Sequence, residues 1–181
     1  MNETFVCPAS QSDVLLFGRS LMHNPSKILG CHLAGGYVAA DIGCGPGFFV
    51  PAMSHFVGTK GKVYAVDLQQ EMLDKAKKRI NKKPHNANII YLKAQKDTLG
   101  IPEKIDFALA FWMVHEVPDK DAFFRELSDV MKPGGKIVFV EPKIHVSEKE
   151  FLASCESASR AGFEVFHGVK AFFSRSVILG K

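Results

Sequence analysis

Residues 38–47, Val-Ala-Ala-Asp-Ile-Gly-Cys-Gly-Pro-Gly, restrict what this chain can fold into more than any other stretch. A short apolar run ends in Asp41, and Gly43, Gly45 and Gly47 follow at alternate positions before Phe48 and Phe49 open a new hydrophobic pattern. The pattern is strand, tight turn, helix start. Glycines so spaced admit positive φ and let a ligand come close to the backbone. A dinucleotide fingerprint requires glycine at the first, third and sixth positions of the turn. Here Gly43 and Gly45 satisfy the first two, but the sixth is Phe48. Asp41 would also set a negative charge near any pyrophosphate, so a cationic or hydrogen-bond-donating ligand suits this turn better.

The rest of the chain keeps a strand-helix rhythm. Residues 49–57 form a helix with Pro51 tolerated in its first turn and Gly58 at its end. Residues 62–67 are apolar with little alternation, as in a strand covered on both faces. Asp67 ends that strand 24 positions after Gly43, near the spacing at which an acidic residue meets ribose hydroxyls in dinucleotide folds. It also suits the start of the helix from Gln70. That helix sets Met72, Leu73, Ala76 and Ile80 against a solvated face of Lys75, Lys77, Lys78, Arg79, Lys82 and Lys83.

Strands follow at 89–93 and 105–111, with loops at 94–99 and 112–119. Helix 120–131 carries a stripe of Phe123, Phe124, Leu127, Val130 and Met131, and a Pro-Gly-Gly turn at 133–135 leads into a strand at 136–141. Ser147 and Glu150 make a capping box for a helix over 147–161, and strands at 164–167 and 171–179 close the chain as a hairpin around Gly168. The order predicts an α/β fold: a Rossmann-like seven-stranded, mostly parallel sheet with an antiparallel C-terminal strand and helices on both faces.

At 181 residues, 46% hydrophobic and 23% charged, the chain suits one globular domain. No apolar run approaches the ~20 residues of a membrane span, and the polar N-terminus does not resemble a signal peptide. A cytoplasmic location is expected. The net charge of +4 comes from dispersed lysines and does not point to a nucleic-acid groove. Cys7, Cys31, Cys44 and Cys155 have no close paired spacing, so neither disulfides nor a metal site is indicated. Residues 1–34 form a leader, with a helix start at Asn24-Pro25-Ser26, a short helix over 27–32, and Cys7, Arg19 and His23 as its polar candidates; residues 35–181 form the main domain.

Residues 41–47 resemble motif I of class I S-adenosylmethionine-dependent methyltransferases, and residues 112–119 resemble motif IV of the branch that includes quinone-biosynthesis methyltransferases. The resemblance implies S-adenosyl-L-methionine as cofactor and S-adenosyl-L-homocysteine as product. It implies cofactor contacts from Asp41, Gly43, Cys44, Gly45 and Gly47 in the turn, and from Asp67, Leu68 and Met72 after the second strand. Gln95 or Asp97 would face the adenine, and Phe111 and Met113 would lie near the methyl group. The leader would be either a lid over the cofactor or an arm packed on the sheet.

Methyl transfer from a sulfonium is an in-line displacement that depends on near-attack geometry. Phe17, Phe111, Trp112 and Met113 are candidate apolar walls. Where the acceptor must lose a proton, His115 is the candidate base, with Glu116 and Glu141 behind it. The expected partner is a small-molecule methyl acceptor, with quinone precursors, sterol-like lipids, metalloids and amines all open and the oligomeric state unread. Two other readings are a non-catalytic cofactor-binding or interaction protein and, against Asp41 and Phe48, a nicotinamide-dependent oxidoreductase.

Overall fold

A computed structural model describes residues 22–81 and 88–181. Along the chain these build α1 (Pro25–Leu29), β1 (Val38–Ile42), α2 (Val50–Val57), β2 (Lys62–Asp67), α3 (Gln70–Ile80), β3 (Asn88–Lys93), β4 (Ile105–Phe111), a 3-10 turn (Val114–Glu116), α4 (Lys120–Val130), β5 (Met131–Pro142), α5 (Glu148–Arg160), β6 (Glu164–His167) and β7 (Ser174–Gly180). The strands form one sheet in the order β3-β2-β1-β4-β5-β7-β6. The first five are parallel, and β7 lies antiparallel between β5 and β6. From β1 the chain winds outward to β3, then returns to β4 on the other side of β1. The winding direction reverses there, and in open α/β sheets the crevice beyond the carboxyl ends at such a reversal is where ligands bind.

Period-2 alternation divides the core between the two faces. On β1, Ala40 and Ile42 join a cluster with Phe123, Phe124 and Leu127 of α4 and Phe151 and Ala158 of α5. Ala39 faces the opposite cluster, built from Ile28 and Leu29 of α1, Met53 and Val57 of α2, and Leu73, Ala76 and Ile80 of α3. Because helices cover both sides, β2 has no polar face to alternate with. Side chains secure the helix starts: the Asn24 carboxamide oxygen accepts from the backbone N–H groups of Ser26 and Lys27, and Asp119 accepts from that of Ala122. Ser147 and Glu150 form the anticipated reciprocal capping box.

Several boundaries move for identifiable reasons. The early helix occupies 25–29 rather than 27–32, because Asn24 is its cap and Pro25 suits the first turn. Met131 is already extended (φ −70°, ψ 141°), so α4 ends one residue early. The strand after it starts at Met131 rather than 136 and absorbs the Pro-Gly-Gly turn as an irregularity in its pairing with β4. The last strand starts at Ser174 rather than 171, because Phe173 has φ +50° and turns the chain just before it. Arg79, read as part of a solvated face, is partly buried and donates to the Gly47 carbonyl.

Cys7, Phe17, Arg19, Lys82 and Lys83 lie outside the described residues. Within those residues Cys31, Cys44 and Cys155 are free thiols, no helix is long and apolar enough to cross a membrane, and no His, Cys, Asp and Glu cluster could hold a metal ion.

Phe124 is fully buried, with its ring 5.3 Å from that of Phe123 and 5.8 Å from that of Phe139. Phe124→Ala is expected to lower unfolding free energy by about 3–5 kcal/mol, and loss of the exposed cap in Ser147→Ala by only about 1 kcal/mol. Urea titration of both variants against the parent checks the ranking.

Candidate active site

The three glycines of the turn have φ of 66° (Gly43), 52° (Gly45) and 77° (Gly47), a region that L side chains rarely adopt. Their surroundings differ. A Cβ on Gly43 would come within 2.8 Å of the Met113 side chain, and one on Gly47 within 2.9 Å of Ile80 and 3.1 Å of Ala76. Those two glycines admit the loop after β4 and helix α3. A Cβ on Gly45 would meet nothing within 4 Å. It faces open space, the condition a ligand against the backbone requires.

Asp67 ties this turn to the end of β2. One carboxylate oxygen accepts from the Gly45 N–H at 2.8 Å, the other from the Gln69 N–H at 2.9 Å. Burial pushes the Asp67 pKa up, opposed by hydrogen bonds from the backbone of Gln69, Gly45 and Leu68. A carboxylate has about four acceptor positions, so these backbone donors leave some capacity for a further one. Cys44 turns inward instead: its side chain is in the core, and burial, then the charges of Asp41 and Asp67, hold the thiol neutral.

Beyond the turn lies a cleft of about 340 Å³. Its floor is Gly43, Gly45 and Pro46, and one end is lined by Asp67, Leu68, Gln69 and Met72 together with the loop 94–99. Glu126 of α4 closes that loop by accepting from the Thr98 hydroxyl and the Leu99 N–H, both at 2.7 Å. At the other end Trp112, Met113, Val117, Pro118 and Phe123 make an apolar wall interrupted by Glu116.

Of the residues singled out from the sequence, Gly43, Gly45, Asp67, Leu68, Met72, Gln95, Asp97 and Met113 line this cleft together. Asp41, Cys44, Gly47 and Phe111 stand behind its lining: Asp41 is buried at the end of β1, and Phe111 packs into the core against Phe49. His23 is buried edge-on against the rings of Phe111 and Trp112, at 5.0 and 5.1 Å. Sequence reading did not single out Gln69, Thr98, Ala122 or Glu126. Ala122 and Glu126 are one helical turn apart on α4, beside the apolar stripe, and that spacing was the available signal.

The post-β4 loop departs most from expectation. The His115 side chain is not in the cleft lining but lines a second pocket of about 130 Å³ with Lys120, Glu141, His145, Glu150 and others. The reason is Glu141, a buried carboxylate at the end of β5. Its two oxygens take the His115 backbone N–H at 3.0 Å and the ring Nδ1 at 2.6 Å, turning the imidazole away. Burial lowers the His115 pKa, but the hydrogen bond and charge of Glu141, aided by Glu116, outweigh it and leave the net value raised. Trp112 pays for the turn with φ +60°, fixed by its N–H donating to the Val140 carbonyl at 2.8 Å and its indole N–H to Ser174 Oγ at 3.0 Å.

A family model described as a methyltransferase domain matches residues 40–139. The chain is 31% identical over 144 residues to the ubiquinone/menaquinone biosynthesis C-methyltransferase UbiE of Shewanella woodyi, covering 77% of this chain and 57% of that protein. It is 30% identical over 131 residues to the UbiE of Shewanella sediminis, covering 72% and 52%. The chain thus spans about half the length of the curated relatives it matches. Among solved structures, a SAM dependent methyltransferase from Aquifex aeolicus matches with a TM-score of 0.84 at 27% identity, covering 97% of this chain and 99% of that one. A TehB-like SAM-dependent methyltransferase from Corynebacterium glutamicum, at 16% identity and TM-score 0.74 over 96% and 97% of the two chains, shares the fold. Since the domain match spans more than half of the 181 residues and the glycine turn and Asp67 both fall inside it, the chain belongs to the S-adenosylmethionine-dependent methyltransferase family.

Proposed function

We propose that this chain transfers a methyl group from S-adenosylmethionine to a carbon of a small, lipophilic, quinone-like ring. The observation that carries the reading is that one cleft is lined both by the Asp67 carboxylate and by the apolar residues Trp112, Met113, Val117 and Phe123. The UbiE relatives, C-methyltransferases by name, support the acceptor class. The residues present fit the cofactor: Gly45 leaves room at the turn, and Asp67, a carboxylate lining the cleft, retains acceptor capacity for a ribose hydroxyl.

In this reading Asp67 takes a ribose hydroxyl, Leu68 and Met72 flank the adenine, and Gln95 or Asp97 receives its amino group. Gly43 and Gly45 offer backbone to the amino-acid end. Asp41, Cys44, Gly47 and Phe111 act from behind, by keeping the turn in shape. Bound there, S-adenosylmethionine supplies a methyl group on a sulfonium, open to in-line displacement. Trp112 and Met113 hold the acceptor ring near the methyl and exclude water, which favours a step that disperses positive charge. Glu116, on the cleft wall, takes the proton that the ring gives up, in place of the role first expected of His115. His115 and Glu141 together brace the loop that carries Trp112 and Met113. In this reading residues 1–34 are a leader and residues 35–181 the catalytic domain; for its described part, the burial of Ile28 and Leu29 of α1 in the core supports a packing arm.

Calorimetric titration with S-adenosylmethionine and S-adenosylhomocysteine is expected to show saturable binding, weakened about 10- to 100-fold in Asp67→Ala as a charge-assisted hydrogen-bonding group is lost. No binding by the folded parent would sink the reading. With a demethylated naphthoquinol as acceptor, mass spectrometry should find one methyl on ring carbon. Glu116→Gln should lower kcat with little change in cofactor affinity, and an unchanged kcat would remove Glu116 from the mechanism.

The raised His115 pKa also fixes a pH dependence. Relative to the ordinary value of 6.5, its contribution to stability is fully present below that value and is lost as pH rises through the folded-state value. The difference in melting temperature between the parent and His115→Gln should therefore be larger at about pH 6 than at about pH 9. A difference independent of pH would mean that the imidazole charge does not brace the loop.

A further inference from the structure

Two neighbouring turns at the carboxyl end of the parallel strands expose large apolar side chains. Ile144, just after β5, is 75% exposed, and Phe172 and Phe173, just before β7, are each 58% exposed. The turns are adjacent because Pro142 pairs with Ser174 in the sheet and the Lys143 N–H donates to the Phe173 carbonyl at 3.0 Å. The two phenyl rings lie 5.9 Å apart, and Phe173 occupies the left-handed region at φ +50°. A bulky side chain in that conformation is costly, and here the turn it makes leaves both rings in solvent.

The charge around these tips has one sign. Residues 142–147 include Lys143 and His145 and no carboxylate, and residues 165–181 include Lys170, Arg175 and Lys181 and no carboxylate. Lys143 and Lys170 are exposed beside the apolar tips. The nearest acids in sequence are Glu141, buried at the end of β5 and engaged by His115; Glu148 and Glu150 at the start of α5, where Glu150 is engaged by Ser147; and Glu164 on β6. The patch also connects to the cleft. Ser174 Oγ donates to the Phe172 carbonyl at 2.9 Å and accepts from the indole N–H of Trp112, a residue that also lines the cleft.

We propose that Ile144, Phe172 and Phe173, flanked by Lys143 and Lys170, dock this protein on an anionic lipid surface with the cleft mouth beside the membrane. Three protruding side chains offer on the order of a few hundred Å², well under the roughly 1,000 Å² of a stable protein interface. Aromatic tips with adjacent lysines match the boundary of a bilayer, where rings sit at headgroup level and cations meet anionic lipid. Docking there would let an acceptor that resides in the lipid reach the cleft without crossing water. The inference deepens the lipophilic-acceptor reading above and rests on it, but vesicle binding can be measured with no acceptor present.

The test is co-sedimentation of the full chain with vesicles of phosphatidylglycerol and phosphatidylcholine, against phosphatidylcholine alone. Preferential binding to the anionic vesicles is expected, reduced at least tenfold in I144S/F172S/F173S and again in K143E/K170E. Both variants should keep the parent's melting temperature and its affinity for S-adenosylhomocysteine, which separates lost docking from lost folding. No preference for anionic vesicles in the parent would overturn the proposal, as would a triple variant that binds them equally well. So would a concentration-dependent dimer that the triple variant abolishes while no vesicle binding is seen, since the occupant would then be a second copy of the chain. Each of these failures leaves methyl transfer itself untouched.

Discussion

The interaction on which the site depends is the clamp between Asp67 and the backbone of Gly45. It joins the end of β2 to the turn after β1 across 22 positions of sequence, through one 2.8 Å hydrogen bond to a buried carboxylate. Without that acceptor, the Gly45 N–H would need another partner, and the turn would rest against β2 there on the neighbouring bond from the Cys44 N–H to the Val66 carbonyl, at 2.9 Å. The same carboxylate receives Gln69 at the start of α3. One side chain thus fixes a loop, holds the residue that precedes a helix, in place of the N-cap role its position suggested, and lines the cleft. The desolvation that raises its pKa is the cost of that arrangement, and it is offset whenever a further donor arrives.

This clamp explains why the polar end of the site was legible in the sequence. Asp41, the glycines and Asp67 lie at strand ends whose positions follow from hydrophobic pattern and turn chemistry, both local properties. The fold was legible for the same reason: β2, β4 and β6 fall where the pattern puts them, and the Ser147–Glu150 capping box forms as written. The misplaced boundaries have different causes: that of α1 is local, set by the Asn24 cap and Pro25, and two later ones are not. At Met131 and Phe173, tertiary pairing and a left-handed turn overrode local propensity, and neither has a signature within a short window.

The apolar end was less legible because it depends on contacts distant in sequence. His115 is a suitable base by residue type, and its position after β4 is the expected one. Its direction is decided by Glu141, 26 residues further on, at the end of a different strand. Residue type and spacing say nothing about which of two adjacent side chains, His115 or Glu116, faces the cleft. Glu126 was missed similarly, since its partners Thr98 and Leu99 lie on a loop whose course the sequence does not fix.

The close approach of Gly43 to Met113 has a consequence for how such a site can diverge. With only 2.8 Å available to any Cβ at Gly43, the turn after β1 and the loop after β4 pack against each other above two paired strands, and no larger residue fits at Gly43 unless Met113 moves. Changes of acceptor preference are therefore easier to make on the face of α4 where Ala122, Phe123 and Glu126 line the cleft. A laboratory library aimed at new acceptors would place its diversity there and leave the glycine side fixed, because substitutions on that face of α4 leave the pairing of β1 with β4 intact.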